Sequence, residues 1–141
     1  MQSVSQTDVE YLESAEGLLT KQMEGFFVGW EKQPSSAMLQ KILNASDYVA
    51  IAKDSEKMVG FATANTDGVI SAYIPLIEVL PEYQGMGIGN RLMKMLLKKL
   101  EGIYMVDLLC DTDVEGFYKQ LGFQKASAMM LRNYNKQKGD S

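Results

Sequence analysis

Apolar positions in this chain fall into two patterns, and the alternation between them predicts the order of elements. Tyr48-Val49-Ala50-Ile51-Ala52 and Met58 to Ala64 are apolar runs separated by the polar stretch Lys53-Asp54-Ser55-Glu56-Lys57, as in an antiparallel hairpin. Asn65-Thr66-Asp67-Gly68 then supplies an Asp-Gly turn into a longer apolar run, Val69 to Leu80, so a three-stranded meander is expected. From Gly87 to Leu100 the period changes: Ile88, Leu92, Met95, Leu96 and Leu100 form one stripe, with Arg91, Lys94, Lys98 and Lys99 outside it, and Gly102 ends the helix. A strand over Ile103 to Cys110 follows, then a helix over Val114 to Leu121, capped by Asp111-Thr112-Asp113 and stopped at Gly122. Phe123 to Tyr134 is expected to hold a last strand or pair, and residues 135–141 a frayed polar tail.

The amino-terminal third is less regular. A short strand is expected over Val9 to Leu12, and a helix starting at a Ser14 cap, with Leu18, Leu19 and Met23 as its apolar positions. Phe26, Phe27, Val28 and Trp30 form an aromatic-rich cluster that either packs in the core or walls a pocket. Pro34-Ser35-Ser36 opens another helix, Ser36 to Leu43, with Met38, Leu39 and Ile42 on one face. The sum is an α/β (α+β) chain with about four helices, and 141 residues suit a single domain over 1–141 with a core of its own.

The segment around which the rest is organised is Ile74 to Asn90. A strand stops at Pro81, a turn carries Gly85, Gly87 and Gly89, and the amphipathic helix begins directly afterwards. Such a junction points several backbone N–H groups and the positive end of a helix dipole at one place, which suits a phosphate. Gly89 is followed by Asn90 and Arg91, not by Lys and Ser or Thr, so this is not the loop of a nucleoside triphosphatase. The glycines run G-x-G-x-G with only about fifty residues left, too few for a full dinucleotide-binding domain. Gln84-x-x-Gly87-x-Gly89 instead resembles the acyl-CoA pyrophosphate loop of the GNAT family of N-acetyltransferases. Phe117-Tyr118-Lys119-Gln120-Leu121-Gly122-Phe123 is similar to that family's FYxxxGF segment, in the right order and at a suitable distance. The resemblance covers roughly residues 49–132.

This resemblance implies a mixed, mostly antiparallel sheet splayed in its middle, and transfer of an acetyl group from acetyl-CoA to a primary amine by direct attack. It implies that Gln84, Gly85, Met86, Gly87, Ile88, Gly89 and Asn90 bind the pyrophosphate through main-chain N–H groups, glycines allowing the close approach. Ile77 and Val79 would meet the pantetheine amides through their backbone. Pro75 would fit a bulge on their strand. Tyr118 matches the family's proton donor to the leaving thiolate and is the candidate catalytic residue. Asp111 stands where relatives often have an Asn that bonds the pantetheine arm; Asp accepts such a bond but lacks the amide donors, and helix capping is its other reading. Tyr73, Glu78 and Asp107 are the positions considered for a general base. Strand alternation turns Glu78 away from Ile77 and Val79. A catalytically silent acyl-CoA-binding sensor or interaction module is the alternative to an enzyme.

Composition narrows the chemistry. The chain has no His, which removes the commonest general base and the commonest metal ligand, and no metal is expected. Its single Cys110 cannot close an internal disulfide, and no run of about eighteen apolar residues or amino-terminal signal pattern is present, so a soluble cytoplasmic protein without a membrane partner is expected. Net charge of −4 disfavours nucleic acid and suits a cationic small-molecule or peptide amine as readily as it suits plain solubility. A homodimer through edge strands is a further possibility in such a family.

Overall fold

The computed structural model describes residues 8–140. Five strands form one sheet in the order β1-β2-β3-β4-β5: β1 Val9–Leu12, β2 Tyr48–Asp54, β3 Lys57–Thr66, β4 Ser71–Val79 and β5 Met105–Asp107. The first four are antiparallel to their neighbours, while β5 runs parallel to β4 because the chain crosses over through the helix α2, Ile88–Lys99. Two shorter helices complete the fold, α1 Ser36–Ala45 and α3 Glu115–Gln120. No helix among the described residues is long and apolar enough to cross a membrane.

The two faces of the sheet are built from different side chains. Cross-strand partners share a face, so Ala52, Gly60 and Val79 lie together, as do Ala50, Ala62 and Ile77. This is the face that receives α2, and its small residues let the helix approach closely. A Cβ on Gly60 would stand 3.2 Å from Leu92 Cδ1 and 3.3 Å from the Glu78 carbonyl, so the glycine is required by contact rather than by backbone angle. Ile88, Leu92, Met93 and Leu96 are buried there, and burial of this stripe holds the helix in place. The opposite face carries Ile51, Phe61 and Glu78. Phe61 packs edge-on against Phe26 at 5.1 Å between ring centroids and against Phe27 at 6.3 Å.

The expected helix from Ser14 does not form. Ser14 Oγ accepts from Glu16 N–H in a tight local turn, Gly17 takes φ +85°, and only a single 3-10 turn, Thr20–Gln22, follows. A left-handed glycine inside the proposed first turns leaves no continuous helical ladder, so among the described residues the α-helices number three where about four were expected. α1 begins where expected, with Ser35 Oγ accepting from Met38 N–H at 3.1 Å as its cap.

Three further expectations are corrected in the carboxy-terminal third. The strand proposed over Ile103 to Cys110 pairs only at Met105–Asp107. α3 begins at Glu115, after a 3-10 turn Thr112–Val114, so the Asp111 side chain caps nothing. Residues 123–133 form no strand, because no neighbouring strand lies beside them. Further on, Tyr134–Lys136 make a 3-10 turn, and Gln137 Oε1 accepts from Lys32 N–H at 2.8 Å. Ser141 lies outside the described residues.

Candidate functional site

The sheet opens where β4 and β5 part. Their pairing covers Ser71 with Met105, Ala72 with Val106 and Tyr73 with Asp107, and stops there. Against β3, the partners step from Thr63↔Leu76 to Asn65↔Tyr73, which places one extra residue on β4 at Ile74–Pro75. Proline suits that bulge because it has no N–H to offer a ladder. Beyond the bulge, Ile77 and Val79 remain paired with β3 at non-hydrogen-bonded positions and have no strand on the other side, so their backbone faces the opening. The splayed sheet that the resemblance implies is present, with Pro75 at the bend.

At the end of β4 the chain turns through Pro81–Tyr83 into the glycine loop, and two side-chain ties fix that loop to the sheet. Tyr83 donates its hydroxyl to Asp54 Oδ2 at 2.6 Å, at the end of β2, and this bond to a carboxylate pushes the phenol up to about 12. Gln84 Nε2 donates to the Val79 carbonyl at 2.9 Å. Gln84 therefore holds the loop with its side chain. Gly85 and Gly87 take φ +79° and +83°, angles that favour glycine, and Gly87 is the residue before α2.

No side chain caps α2. Its first outer backbone bond runs from Arg91 N–H to the Gly87 carbonyl at 3.1 Å. Among the described residues, the N–H groups of Gly85, Met86, Gly87, Ile88, Gly89 and Asn90 have no backbone partner outside the regular elements, and the loop and helix start lie beside the opening. Gly89 packs on Phe117, whose ring carbon Cζ would be 3.6 Å from an added Cβ, with Val79 Cγ2 at 3.8 Å. A methyl group would fit the protein at Gly89, so space for something outside the protein is the better reason for glycine there. Ile88 is buried under the helix and Met86 is half-buried, consistent with packing more than with chemistry.

Tyr118 lies on α3 and is buried, with Phe117 at 5.0 Å and Phe123 at 6.0 Å, both edge-on. Burial raises its hydroxyl above the ordinary tyrosine value, and the nearby Cys110 sulfur adds to the rise, so Tyr118 is a protonated phenol across the neutral range. Tyr118, Cys110, Tyr73 and Asp107 line one groove of about 1000 Å³. Asp111 is exposed and only its carbonyl is engaged, accepting from Val114 N–H at 3.2 Å.

Glu78 has a different task from the one considered for it. Its carboxylate accepts from Phe27 N–H at 2.8 Å and Val28 N–H at 3.2 Å, holding the loop in which Phe27 takes φ +63°. The aromatic cluster divides accordingly: Phe26 and Phe27 are core, while Val28 and Trp30 are exposed. A smaller cavity of about 310 Å³ lies beside them, lined by Met23, Phe26, Phe27, Gln33, Ser35 and Leu39 among others. Sequence spacing placed Glu78 on the correct face, but nothing in it foretold the backbone clamp. Arg91, read as part of a solvated face, lies over the Tyr11 ring, its guanidinium carbon 4.7 Å from the centroid.

Comparison with known proteins agrees with this geometry. The family model described as the acetyltransferase (GNAT) family matches residues 15–123. An uncharacterized N-acetyltransferase, ycf52, of Pyropia yezoensis is 33% identical over 103 residues, covering 70% of this chain and 59% of the relative. The GCN5-related N-acetyltransferase 1, chloroplastic, of Arabidopsis thaliana is 32% identical over 133 residues, 86% of this chain and 66% of the relative. A crystal structure of a candidate acetyltransferase from Deinococcus radiodurans R1 superposes with TM-score 0.96 at 38% identity, covering 100% of this chain and 99% of that one. The chain spans about three fifths of the length of the first curated relatives it matches.

Proposed function

Because this chain belongs to the acetyltransferase (GNAT) family, we propose that it transfers an acetyl group from acetyl-CoA to the nitrogen of a primary amine by direct attack. The observation that carries this reading is the row of free backbone N–H groups at the start of α2, set beside the gap between β4 and β5. Residues Gln84 to Asn90 would take the pyrophosphate on those groups, helped by the positive end of the α2 dipole. Ile77 and Val79 would offer their open backbone edge to the pantetheine amides. When bound, acetyl-CoA supplies a thioester whose carbonyl carbon gains the amine nitrogen and loses the CoA sulfur.

The chain's own residues do the rest. Tyr118 holds a proton on its hydroxyl at neutral pH and is the donor for the departing sulfur. Glu78 is engaged by the 27–28 backbone, so it positions that loop instead of removing a proton. Asp107 and Glu115 both line the groove that also holds Tyr118, and either carboxylate or a chain of water would take the proton of the amine. Positioning supplies much of the remaining acceleration. The acceptor is a small-molecule or peptide amine, a cation before it loses its proton, which the acidic chain attracts. We place the protein in the cytoplasm, where the exposed thiol of Cys110 stays reduced.

Calorimetric titration with acetyl-CoA, CoA and ATP in parallel tests the reading. Saturable one-to-one binding of the two CoA species, with ATP much weaker, is expected. Tyr118→Phe should keep that binding and lower kcat by about 10²–10⁴-fold with amines that the wild type acetylates. Retained binding with no turnover on any amine, in wild type as well as variant, would instead mark an acyl-CoA-binding module. No binding at millimolar ligand would overturn the assignment of the loop.

A further inference from the structure

Cys110 is the single cysteine of the chain and its thiol is exposed, yet the chemistry above gives it no task. It comes three residues after Asp107, where the pairing of β5 with β4 ends, and Leu76 comes three residues after Tyr73, the last partner on β4. The two therefore stand on opposite lips of the gap, with Cys110 across from the stretch of β4 whose backbone faces the opening. Cys110 also lines the groove of about 1000 Å³ that Tyr118 lines. A second observation marks this place as one that takes a ligand. Tyr118 is only 9% exposed, and its hydroxyl has no hydrogen-bond partner among the described residues. A buried phenol left without a partner is costly, so this one must find its partner in the groove. Thiol and phenol are close enough that charge on the sulfur is felt by the hydroxyl.

We propose that Cys110 is a redox-sensitive modification site that takes up CoA itself, as a mixed disulfide formed from CoA disulfide. This rests on the reading of the donor site above, in which the sulfur of CoA departs beside the Tyr118 hydroxyl. One half of the CoA disulfide is held as CoA would be, by residues 84–90 and the open backbone of Ile77 and Val79, and its sulfur reaches the groove between Tyr118 and Cys110. The Cys110 thiolate, its proton given to solvent, attacks that sulfur. A bond forms from Cys110 Sγ to the sulfur of the bound half, the S–S bond of the CoA disulfide breaks, and the other half leaves as a thiolate that takes a proton from solvent. One disulfide is exchanged for another, so no further oxidant is needed. The product is a chain whose donor site is filled by tethered CoA and closed to acetyl-CoA until a thiol reduces it. Binding before reaction separates this from the ordinary chemistry of a surface thiol, because a disulfide without a CoA half has no loop to hold it.

Intact-mass spectrometry of the full chain after exposure to CoA disulfide or, separately, to glutathione disulfide tests the proposal, with calorimetric titration of the reduced protein with CoA alongside. One CoA unit per chain should be gained and then released by dithiothreitol. Its formation rate should saturate with CoA disulfide and exceed that of the glutathione adduct at equal concentration by at least about tenfold. Acetyl-CoA should protect against it. Cys110→Ser should gain no mass and still bind CoA in calorimetry, showing that it folds. CoA binding without an adduct overturns the proposal and leaves the reading of the donor site standing. An adduct that forms equally fast from glutathione disulfide, or in the presence of saturating acetyl-CoA, overturns it too, since a thiol that reacts so is only exposed. No CoA binding in calorimetry overturns the donor-site reading, and the proposal with it.

Discussion

The glycine loop with α2 and the carboxy-terminal third from β5 onward differ in how completely each is held by its own chain. The first is tied at both ends by side chains, Tyr83 to Asp54 and Gln84 to Val79, and rests on a buried stripe seated over Gly60. The second has a three-residue strand, a six-residue helix and an apolar arm in the open. A sheet with one finished half and one unfinished half puts the proposed donor loop on the part that the chain's own side chains hold in place.

The largest break in that comparison is Leu92→Ala. Leu92 is fully buried between α2 and the sheet, so its loss should lower stability by about 2–5 kcal/mol in equilibrium urea unfolding. Gly87→Ala acts more locally. A Cβ at φ +83° should cost about 1–2 kcal/mol, and acetyl-CoA affinity measured by calorimetry should fall with it, since the same residue lies within the row of free N–H groups.

Acid probes the β3–β4 turn. Asp67 accepts from the N–H groups of Val69, Ile70 and Ser71, and these bonds hold its carboxyl down at about 2. A lowered carboxyl contributes stability above its unfolded value near 3.9 and loses it as pH falls from there toward 2. Thermal unfolding should therefore drop over that window, and Asp67→Asn should flatten the drop. The smallest effect is expected at Met129→Ser. Met129 is 99% exposed, so the change in stability should be no more than about 0.5 kcal/mol, in contrast to Leu92→Ala.

Legibility in the sequence followed the same division. The hairpin, the Asp-Gly turn and α2 were readable because each declares itself within a few residues by period and turn chemistry. The splay was implied by the family resemblance, and Pro75, a residue with few ways to sit in a ladder, fitted it. The Ser14 helix failed because a capping residue and nearby leucines outweighed Gly17, whose left-handed angle only the folded chain reveals. The strand expected from Phe123 has an apolar pattern and no partner, and pattern alone does not say whether one exists. Glu78 was hidden for a related reason: its partners, Phe27 and Val28, are some fifty positions away.

The bond between Tyr83 and Asp54 has one more consequence. It spans from the first residue cluster of the glycine loop to the far end of β2, so the loop's shape is fixed when the hairpin folds and not when a ligand arrives. The ordering entropy of the loop is then spent during folding, and binding should show a small entropic penalty. Removing the hydroxyl with Tyr83→Phe would move that penalty to the binding step, so the variant would still recognise acetyl-CoA but with a less favourable entropy in calorimetry.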